Sequence, residues 1–288
     1  MRLRAVACGA LLLTIVCGRL AADPWEGTWR ETELAGIGLT PDGACEAISL
    51  NDRTVMLAKD SDGEYTGAWL TANQQRVTRK RAAECKLANS SQPFFALRMQ
   101  RWMLTGKLDA QTGRMKVVGH SGNCSGDLCP ADWKDKNDTF ETTFVLKDGK
   151  LFDISTDASA TTPRAFISEA TYRNGAAEVT SEMRRHGNQI VAGQCAEFYD
   201  STSTFFQKSL PRQTFVTQCT QMAPEIESRQ FVDQLYVTSL LKPESWPLPA
   251  PYVLFMNRLS GKHGSGVEFA IFARENGTMR IVYWTIQG

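Results

Sequence analysis

Three glycine-containing turn segments in the first half of the chain separate stretches in which apolar and polar residues alternate. They are residues 60–63 (Asp-Ser-Asp-Gly), 109–113 (Asp-Ala-Gln-Thr-Gly) and 147–150 (Lys-Asp-Gly-Lys). Glycine adopts positive φ at low cost, so such turns commonly join neighbouring antiparallel strands. Repeated hairpins without intervening helices predict an antiparallel β-barrel or β-sandwich over residues 23–155.

The pattern changes in the second half of the chain. Residues 156–175 are rich in Thr, Ala, Ser and Asn and predict a linker. Helical segments then give way to alternating segments, the last two of which are joined by Glu275-Asn276-Gly277. Helices followed by an antiparallel meander predict an α+β domain over residues 176–288. We therefore expect an α+β fold class for the chain as a whole.

The first 22 residues have the layout of a signal peptide. Met-Arg-Leu-Arg precedes an apolar run over 5–17, and the small residues Ala21 and Ala22 follow. The run is shorter than the roughly 20 apolar residues that span a membrane. We expect cleavage after Ala22 and export to the periplasm.

The charge of the remaining chain excludes some classes of partner. Loss of the leader's three arginines leaves 29 basic and 31 acidic residues, and the formal net charge changes from +1 to −2. A nearly neutral chain gives no general electrostatic case for binding nucleic acid or an anionic membrane. We expect neither nucleic-acid binding nor stable membrane insertion.

Six cysteines follow the leader, and an even number in an exported chain indicates disulfide bonds. The favoured pairs are Cys195 with Cys219, Cys124 with Cys129, and Cys45 with Cys85. Pairing of Cys45 or Cys85 with Cys124 or Cys129 remains an alternative. A zinc site is disfavoured because no histidine lies near these cysteines in a ligand pattern, and no cofactor is expected.

Short motifs in both halves resemble known families. Trp25-Glu26-Gly27-Thr28-Trp29 resembles the Gly-x-Trp start of lipocalin-type barrels. Phe198-Tyr199-Asp200-Ser201, then Phe-Phe-Gln-Lys-Ser over 205–209 and a Gln-x-Phe helix, resemble small secreted bacterial proteins of the nuclear-transport-factor-2-like (cystatin-like) superfamily. This second resemblance covers residues 176–288. It implies a cone in which a curved sheet wraps around helices, and a homodimer through the open face of that sheet.

Two sets of residues are candidates for a binding function. Inward-facing positions of the cone form a candidate pocket, with a packed core as the alternative: Tyr199, Phe231, Asp233, Tyr236, Phe255 and Tyr283. Two charged segments, expected to be loops, form a candidate partner surface, with ordinary solvated loops as the alternative: Arg76, Arg79, Lys80 and Arg81, and Trp133 with Lys134 and Lys136.

No catalytic motif is recognisable, and none of the three histidines lies in a metal-ligand or triad context. The leading hypothesis is a non-catalytic periplasmic binding protein, specifically an immunity or inhibitor protein that neutralises an envelope-acting antibacterial effector by direct contact. One alternative is a small-molecule or lipid carrier that uses the barrel or the cone. Another is an enzyme of the cone superfamily with Asp233 as its base.

Overall fold

The computed structural model describes residues 23–40, 43–80, 85, 87, 95–127, 129, 138–155, 163–242, 246–262 and 264–287. The expected leader, residues 1–22, lies outside this part. Strands hold 58% of the described residues and helices hold 21%. The expected α+β class is therefore wrong, because the chain is mainly β. The first five strands are 12 to 16 residues long, so more of the chain is strand than the short alternating segments indicated.

The first part of the chain is a closed eight-stranded antiparallel barrel. Each strand pairs with the next along the chain, and the eighth returns to the first, where Trp29 lies opposite Ser168. The strands are β1 (Gly27–Leu39), β2 (Cys45–Lys59), β3 (Tyr65–Lys80), β4 (Phe95–Asp109), β5 (Arg114–Ser125), β6 (Thr139–Lys147), β7 (Lys150–Asp153) and β8 (Arg164–Ser168).

The closing strand lies inside the segment that was expected to be a linker. Residues 164–168 form β8, and Ser168 caps the helix that follows by accepting a hydrogen bond from the Thr171 N–H. The Thr- and Ser-rich part of the segment, residues 156–162, lies outside the described residues. Residues 164–168 (Arg-Ala-Phe-Ile-Ser) contain only one Ser and pair with β1 and β7 as a strand. The barrel thus extends beyond the expected boundary at residue 155.

Buried side chains pack against one another inside the barrel. One end is packed with apolar groups from all eight strands: Trp25, Trp29, Val55, Leu57, Tyr65, Trp69, Leu104, Met115, Val117, Phe144, Leu151 and Phe166. Further along the same faces of β1 and β2, Arg53 binds Glu31 at 2.8 Å and Glu33 at 3.1 Å. Burial raises the pKa of Glu31, and the Arg53 charge opposes that rise.

The second part of the chain places five α-helices and one 3-10 helix, Ala223–Glu225, before a four-stranded antiparallel sheet with order β13-β12-β11-β9. The helices are α1 (Glu169–Ala177), α2 (Thr180–Val191), α3 (Cys195–Asp200), α4 (Thr204–Ser209) and α5 (Arg212–Met222). The strands are β9 (Ile226–Val237), β10 (Ser239–Leu240), β11 (Tyr252–Gly261), β12 (Gly264–Glu275) and β13 (Thr278–Gln287). The short β10 lies parallel to β1 and extends the barrel sheet instead.

The four-stranded sheet is covered on both faces. Its first face packs against the helices, with Phe198, Phe215, Phe255 and Phe272 among the buried groups. Its second face packs against the outer wall of the barrel through a shared apolar cluster: Leu34, Ile48, Leu50, Leu235, Val237, Tyr252, Leu254, Phe269, Ile271, Ala273 and Val282. The open sheet face needed for the expected homodimer is therefore occupied by the barrel of the same chain.

Three disulfide bonds are present, as expected for an exported chain. They join Cys45 with Cys85, Cys124 with Cys129, and Cys195 with Cys219. The last bridge links α3 to α5 inside the helix-facing core. Over the part of the chain that the structure describes, no helix has the length and apolar character needed to cross a membrane.

Candidate functional site

A cavity of about 860 Å³ opens between the first two helices and the edge of the four-stranded sheet. We call it the α2–β9 cleft. Its size falls within the range of small-molecule and side-chain pockets. Its lining residues are Arg30, Glu169, Tyr172, Arg173, Ala176, Ala177, Thr180, Met183, Arg184, Gly187, Asn188, Val191, Glu227, Ser228, Arg229, Phe231, Asp233, Gln234, Phe255 and Asn257.

A buried carboxylate lies behind the floor of the cleft. Glu268 is only 1% exposed, and three side chains donate hydrogen bonds to it. Asn257 Nδ2 and Trp284 Nε1 lie 2.7 Å and 3.0 Å from its oxygens, and the Arg229 guanidinium binds Oε2 through Nε, at 3.1 Å, and through Nη2. A buried charge needs this degree of pairing, since an unpaired one is strongly destabilising. The arrangement fixes Arg229 and Asn257 side by side.

Gly187 of α2 makes room for that arginine. A Cβ atom at Gly187 would lie 1.2 Å from Arg229 Nη1, so no larger residue fits without displacing the guanidinium. Glycine in a helix interior costs about 1 kcal/mol relative to alanine. Here its absent side chain admits the arginine to the floor of the cleft.

One end of the cleft is formed where the barrel meets α1. The Arg30 guanidinium lies 4.0 Å above the Tyr172 ring and 2.9 Å from Asp52. The Tyr172 hydroxyl lies 2.9 Å from Thr32 Oγ1 and accepts a hydrogen bond from the Tyr236 N–H at 3.2 Å. Burial, together with the nearby Asp52 charge, raises the pKa of Tyr172 to about 12. The tyrosine thus joins β1, α1 and β9 as a neutral hydrogen-bonding group.

The other side of the cleft is the edge of the sheet. Strand β9 pairs only with β11 among the described strands. Near the C-terminal end of β9 this edge is covered by α1, because the Tyr172 hydroxyl accepts a hydrogen bond from the Tyr236 N–H. Residues 227–233, which we call the β9 edge, have no described strand on the side that faces away from β11.

Two apolar side chains stand on the β9 edge. Phe231 is 57% exposed and Val232 is 43% exposed. The register places Asp233 opposite Met256 and Phe231 opposite Asn257, so Val232 is the extra residue of a β-bulge. Bulges re-aim side chains at sheet edges. The Phe231 ring also packs on Phe255, with centroids 5.2 Å apart, and so forms part of the cleft wall.

The structure brings together three of the six expected pocket residues. Phe231, Asp233 and Phe255 line the cleft. Tyr199 is buried among the helices and donates to the carbonyls of Gln207 and Leu210. Tyr236 packs its ring against Gly175 of α1, and the Tyr283 hydroxyl reaches Glu46 on the barrel at 3.2 Å. These three tyrosines contact neighbouring elements of the fold, and none of them is among the residues that line the cleft.

Asp233 is not held among apolar groups, as a base inside the cone would be. Its Oδ2 lies 2.7 Å from Arg76 Nη2 on the barrel, and its Oδ1 accepts from the Gln234 N–H. Arg76 is correspondingly not on an exposed loop. It lies in β3, is buried, and also binds Gln74. This pair ties the barrel to the sheet.

The rest of the expected partner surface is not defined. Residues 79 and 80 end strand β3, but their side chains lie outside the described part of the chain. Arg81, Trp133, Lys134 and Lys136 lie outside the described residues altogether. The charged-loop hypothesis therefore stays a prediction.

A buried histidine lies near the same network without opening to solvent. His186 of α2 is 2% exposed and packs edge-on against Phe198, with ring centroids 4.9 Å apart. Ser201 Oγ lies 3.4 Å from His186 Nδ1 but donates to the Phe198 carbonyl at 2.7 Å. Burial lowers the pKa of His186 to about 4. This Ser–His contact therefore joins α2 to α3 within the core.

Sequence reasoning missed Arg229, Asn257 and Glu268. One signal was present, since Glu268 alternates in phase with Ala270 and Phe272, both of which face the helices. A charged residue on the buried face of a strand indicates a paired interior charge. Its partners Arg229, Asn257 and Trp284 come from three other strands, β9, β11 and β13, and cannot be predicted from local spacing.

No cluster of three or more His, Cys, Asp or Glu residues within the described ranges is arranged to hold a metal ion. Comparisons of the whole chain with protein-family models, with curated proteins and with solved structures gave no match.

Proposed function

We propose that this chain is an exported, non-catalytic binding protein that holds an extended segment of a protein partner along the β9 edge, beside the α2–β9 cleft. The observation that carries the proposal is the pair of exposed side chains, Phe231 and Val232, on a sheet edge without a neighbouring strand in the described chain. Sheet edges present main-chain donors and acceptors that complement another extended chain.

The cleft gives such a segment a place for a side chain. In strand addition, main-chain hydrogen bonds supply affinity, and pockets for alternate side chains supply specificity. Phe231 belongs to both the edge and the cleft wall, so a segment on the edge would lie directly against the cavity. An extended polypeptide could therefore contact both the β9 edge and the cleft, whereas a small ligand would contact only the cleft.

The proposed compartment is the periplasm, and the proposed role is that of an immunity or inhibitor protein against an envelope-acting effector. The three disulfide bonds fit an oxidising, exported compartment. The sheet is held between helices and barrel, so the β9 edge is mounted on a stiff support. Little ordering is then required on binding, which favours a stable complex.

The proposal is tested by affinity capture from periplasmic extract with residues 23–288 as bait. Val232→Lys places a charge on the β9 edge, where lysine opposes strand pairing. Met103→Lys is the matched control, because Met103 is 47% exposed on the outer wall of the barrel. One stoichiometric protein that is retained by wild type and Met103→Lys and lost with Val232→Lys supports the proposal. No captured protein, or equal capture by all three baits, contradicts it.

A second candidate function is a small-molecule carrier that uses the cleft, favoured by its volume of about 860 Å³. The barrel is the weaker site for a carrier because a cluster of buried apolar side chains from all eight strands packs inside it. Native mass spectrometry of the purified chain separates the two candidates. A co-purifying small molecule that Phe231→Ala releases would favour the carrier.

A further inference from the structure

The floor of the α2–β9 cleft, formed by Arg229 and Asn257, carries two polar groups that bind no other group among the described residues. Arg229 binds Glu268 through Nε and Nη2, and no bond to a described residue uses Nη1. Asn257 must turn its Nδ2 toward the carboxylate, because a carboxylate only accepts hydrogen bonds. That orientation leaves Oδ1 as an acceptor without a partner among the described residues.

These two groups are neighbours with fixed positions. Arg229 and Asn257 both donate to the same atom, Glu268 Oε2. Both also line the cleft, although little of either side chain is exposed: Arg229 is 15% exposed and Asn257 is 6% exposed, with Glu268 at 1% behind them. The floor thus presents one donor group and one acceptor group close together.

The floor has no net charge, since the Arg229 cation is neutralised by Glu268. An incoming carboxylate would meet a donor, but it would also approach the Glu268 charge and the Asn257 acceptor. A carboxamide has one acceptor oxygen and one donor nitrogen and carries no charge. It can accept from Arg229 and donate to Asn257 at the same time.

We propose that the cleft binds a carboxamide group, the side chain of a glutamine or asparagine in the bound segment. The apolar wall formed by Phe231, Phe255 and Met183 would contact the methylene groups of that side chain. The inference rests on the proposed function only for the identity of the molecule that carries the carboxamide. Recognition of the group itself depends on the floor alone.

The test compares three small probes of similar shape on the full mature chain: butyramide, butyrate and 2-pentanone. Binding is followed by amide and side-chain N–H shifts in two-dimensional NMR. We expect saturable shifts at the Arg229 Nε–H and the Asn257 side-chain amide. Butyramide should bind about fivefold more tightly than either other probe, the effect of roughly one hydrogen bond.

Two variants locate the effect. Arg229→Lys keeps the charge but removes the planar set of donors, so the preference for butyramide should disappear. Arg101→Lys makes the same exchange on the exposed outer wall of the barrel and should leave the preference intact. If Arg229→Lys does not fold, the relative affinities of the wild-type chain for the three probes still test the inference.

Butyrate binding as tightly as butyramide, shifts confined to other residues, or no saturable shift would each overturn the inference. These probes are too small to pair with the β9 edge. The probe experiment therefore tests the carboxamide site alone. The partner proposal is tested separately, by capture with the Val232→Lys bait.

Discussion

The Arg229 guanidinium occupies the space in front of Gly187 where any other residue would place its Cβ atom. The contact couples α2 to the buried Glu268 through one side chain. The floor of the cleft and the packing of α2 on the sheet therefore depend on the same glycine.

Gly187→Ala should destabilise the chain although alanine favours the helix. Alanine adds about 1 kcal/mol of helix propensity. Displacement of Arg229 leaves a buried charge unpaired, which costs about 3–5 kcal/mol. We expect a net loss of about 2 kcal/mol or more in the free energy of unfolding, measured by urea denaturation. Asn188→Ala, at the next and exposed position, is the control and should be neutral or slightly stabilising. Equal stability of Gly187→Ala and wild type would show that Arg229 can move away from Gly187 without loss of stability.

His186 makes stability depend on pH in the acidic range. Its folded pKa of about 4 is below the ordinary value of 6.5 because burial penalises the charged ring. Between these values the unfolded chain binds the proton and the folded chain does not, so stability is lost as the pH falls from 6.5 toward 4. The loss attributable to His186 is at most about 3 kcal/mol.

Unfolding of wild type and His186→Asn across this pH range measures the effect. The variant should lose less stability on acidification than wild type. His120→Asn, which replaces an exposed ring on β5, should behave like wild type. The same pH slope in wild type and His186→Asn would show that the buried histidine does not cause the loss of stability on acidification.

Loss of a disulfide should lower the free energy of unfolding by more, the longer the chain segment that the disulfide closes. The sequence separations are 40 for Cys45–Cys85, 24 for Cys195–Cys219 and 5 for Cys124–Cys129. The chain-entropy relation gives losses of about 4, 3.5 and 2 kcal/mol in that order. Paired Cys→Ala variants, compared by urea denaturation, provide the measurement. A larger loss for Cys124–Cys129 than for the other two would mean that native contacts at that bridge outweigh loop closure.

The sequence predicted the local features of the fold better than its overall class. Turns at 60–63, 109–113 and 147–150 do join neighbouring barrel strands, because their glycines Gly63, Gly113 and Gly149 adopt positive φ. The expected disulfide bonds were also found. The class was wrong because strand length is set by barrel closure, which is a long-range property of the sheet.

The cleft could be predicted only in part. Phe231 and Phe255 were predicted as aromatic residues of the alternating segments, and both line it. Asp233 was assigned to the interior by the same alternation, but the bulge at Val232 interrupts the strand, and Asp233 pairs with Arg76 on the barrel. The Arg229–Glu268 pair joins strands 39 residues apart in sequence, so it depends on sheet register that no local pattern encodes.

The proposed function requires that the β9 edge accept an extended segment of a protein partner. Amide hydrogen exchange of the chain, alone and in complex with the captured partner, tests it most directly. Strand addition should slow exchange at residues 227–233, because main-chain N–H groups that face solvent become hydrogen-bonded. Exchange on the outer wall of β4 around Met103 should not change. Unchanged exchange along the β9 edge, with protection elsewhere in the complex, would show that the partner does not bind by strand addition.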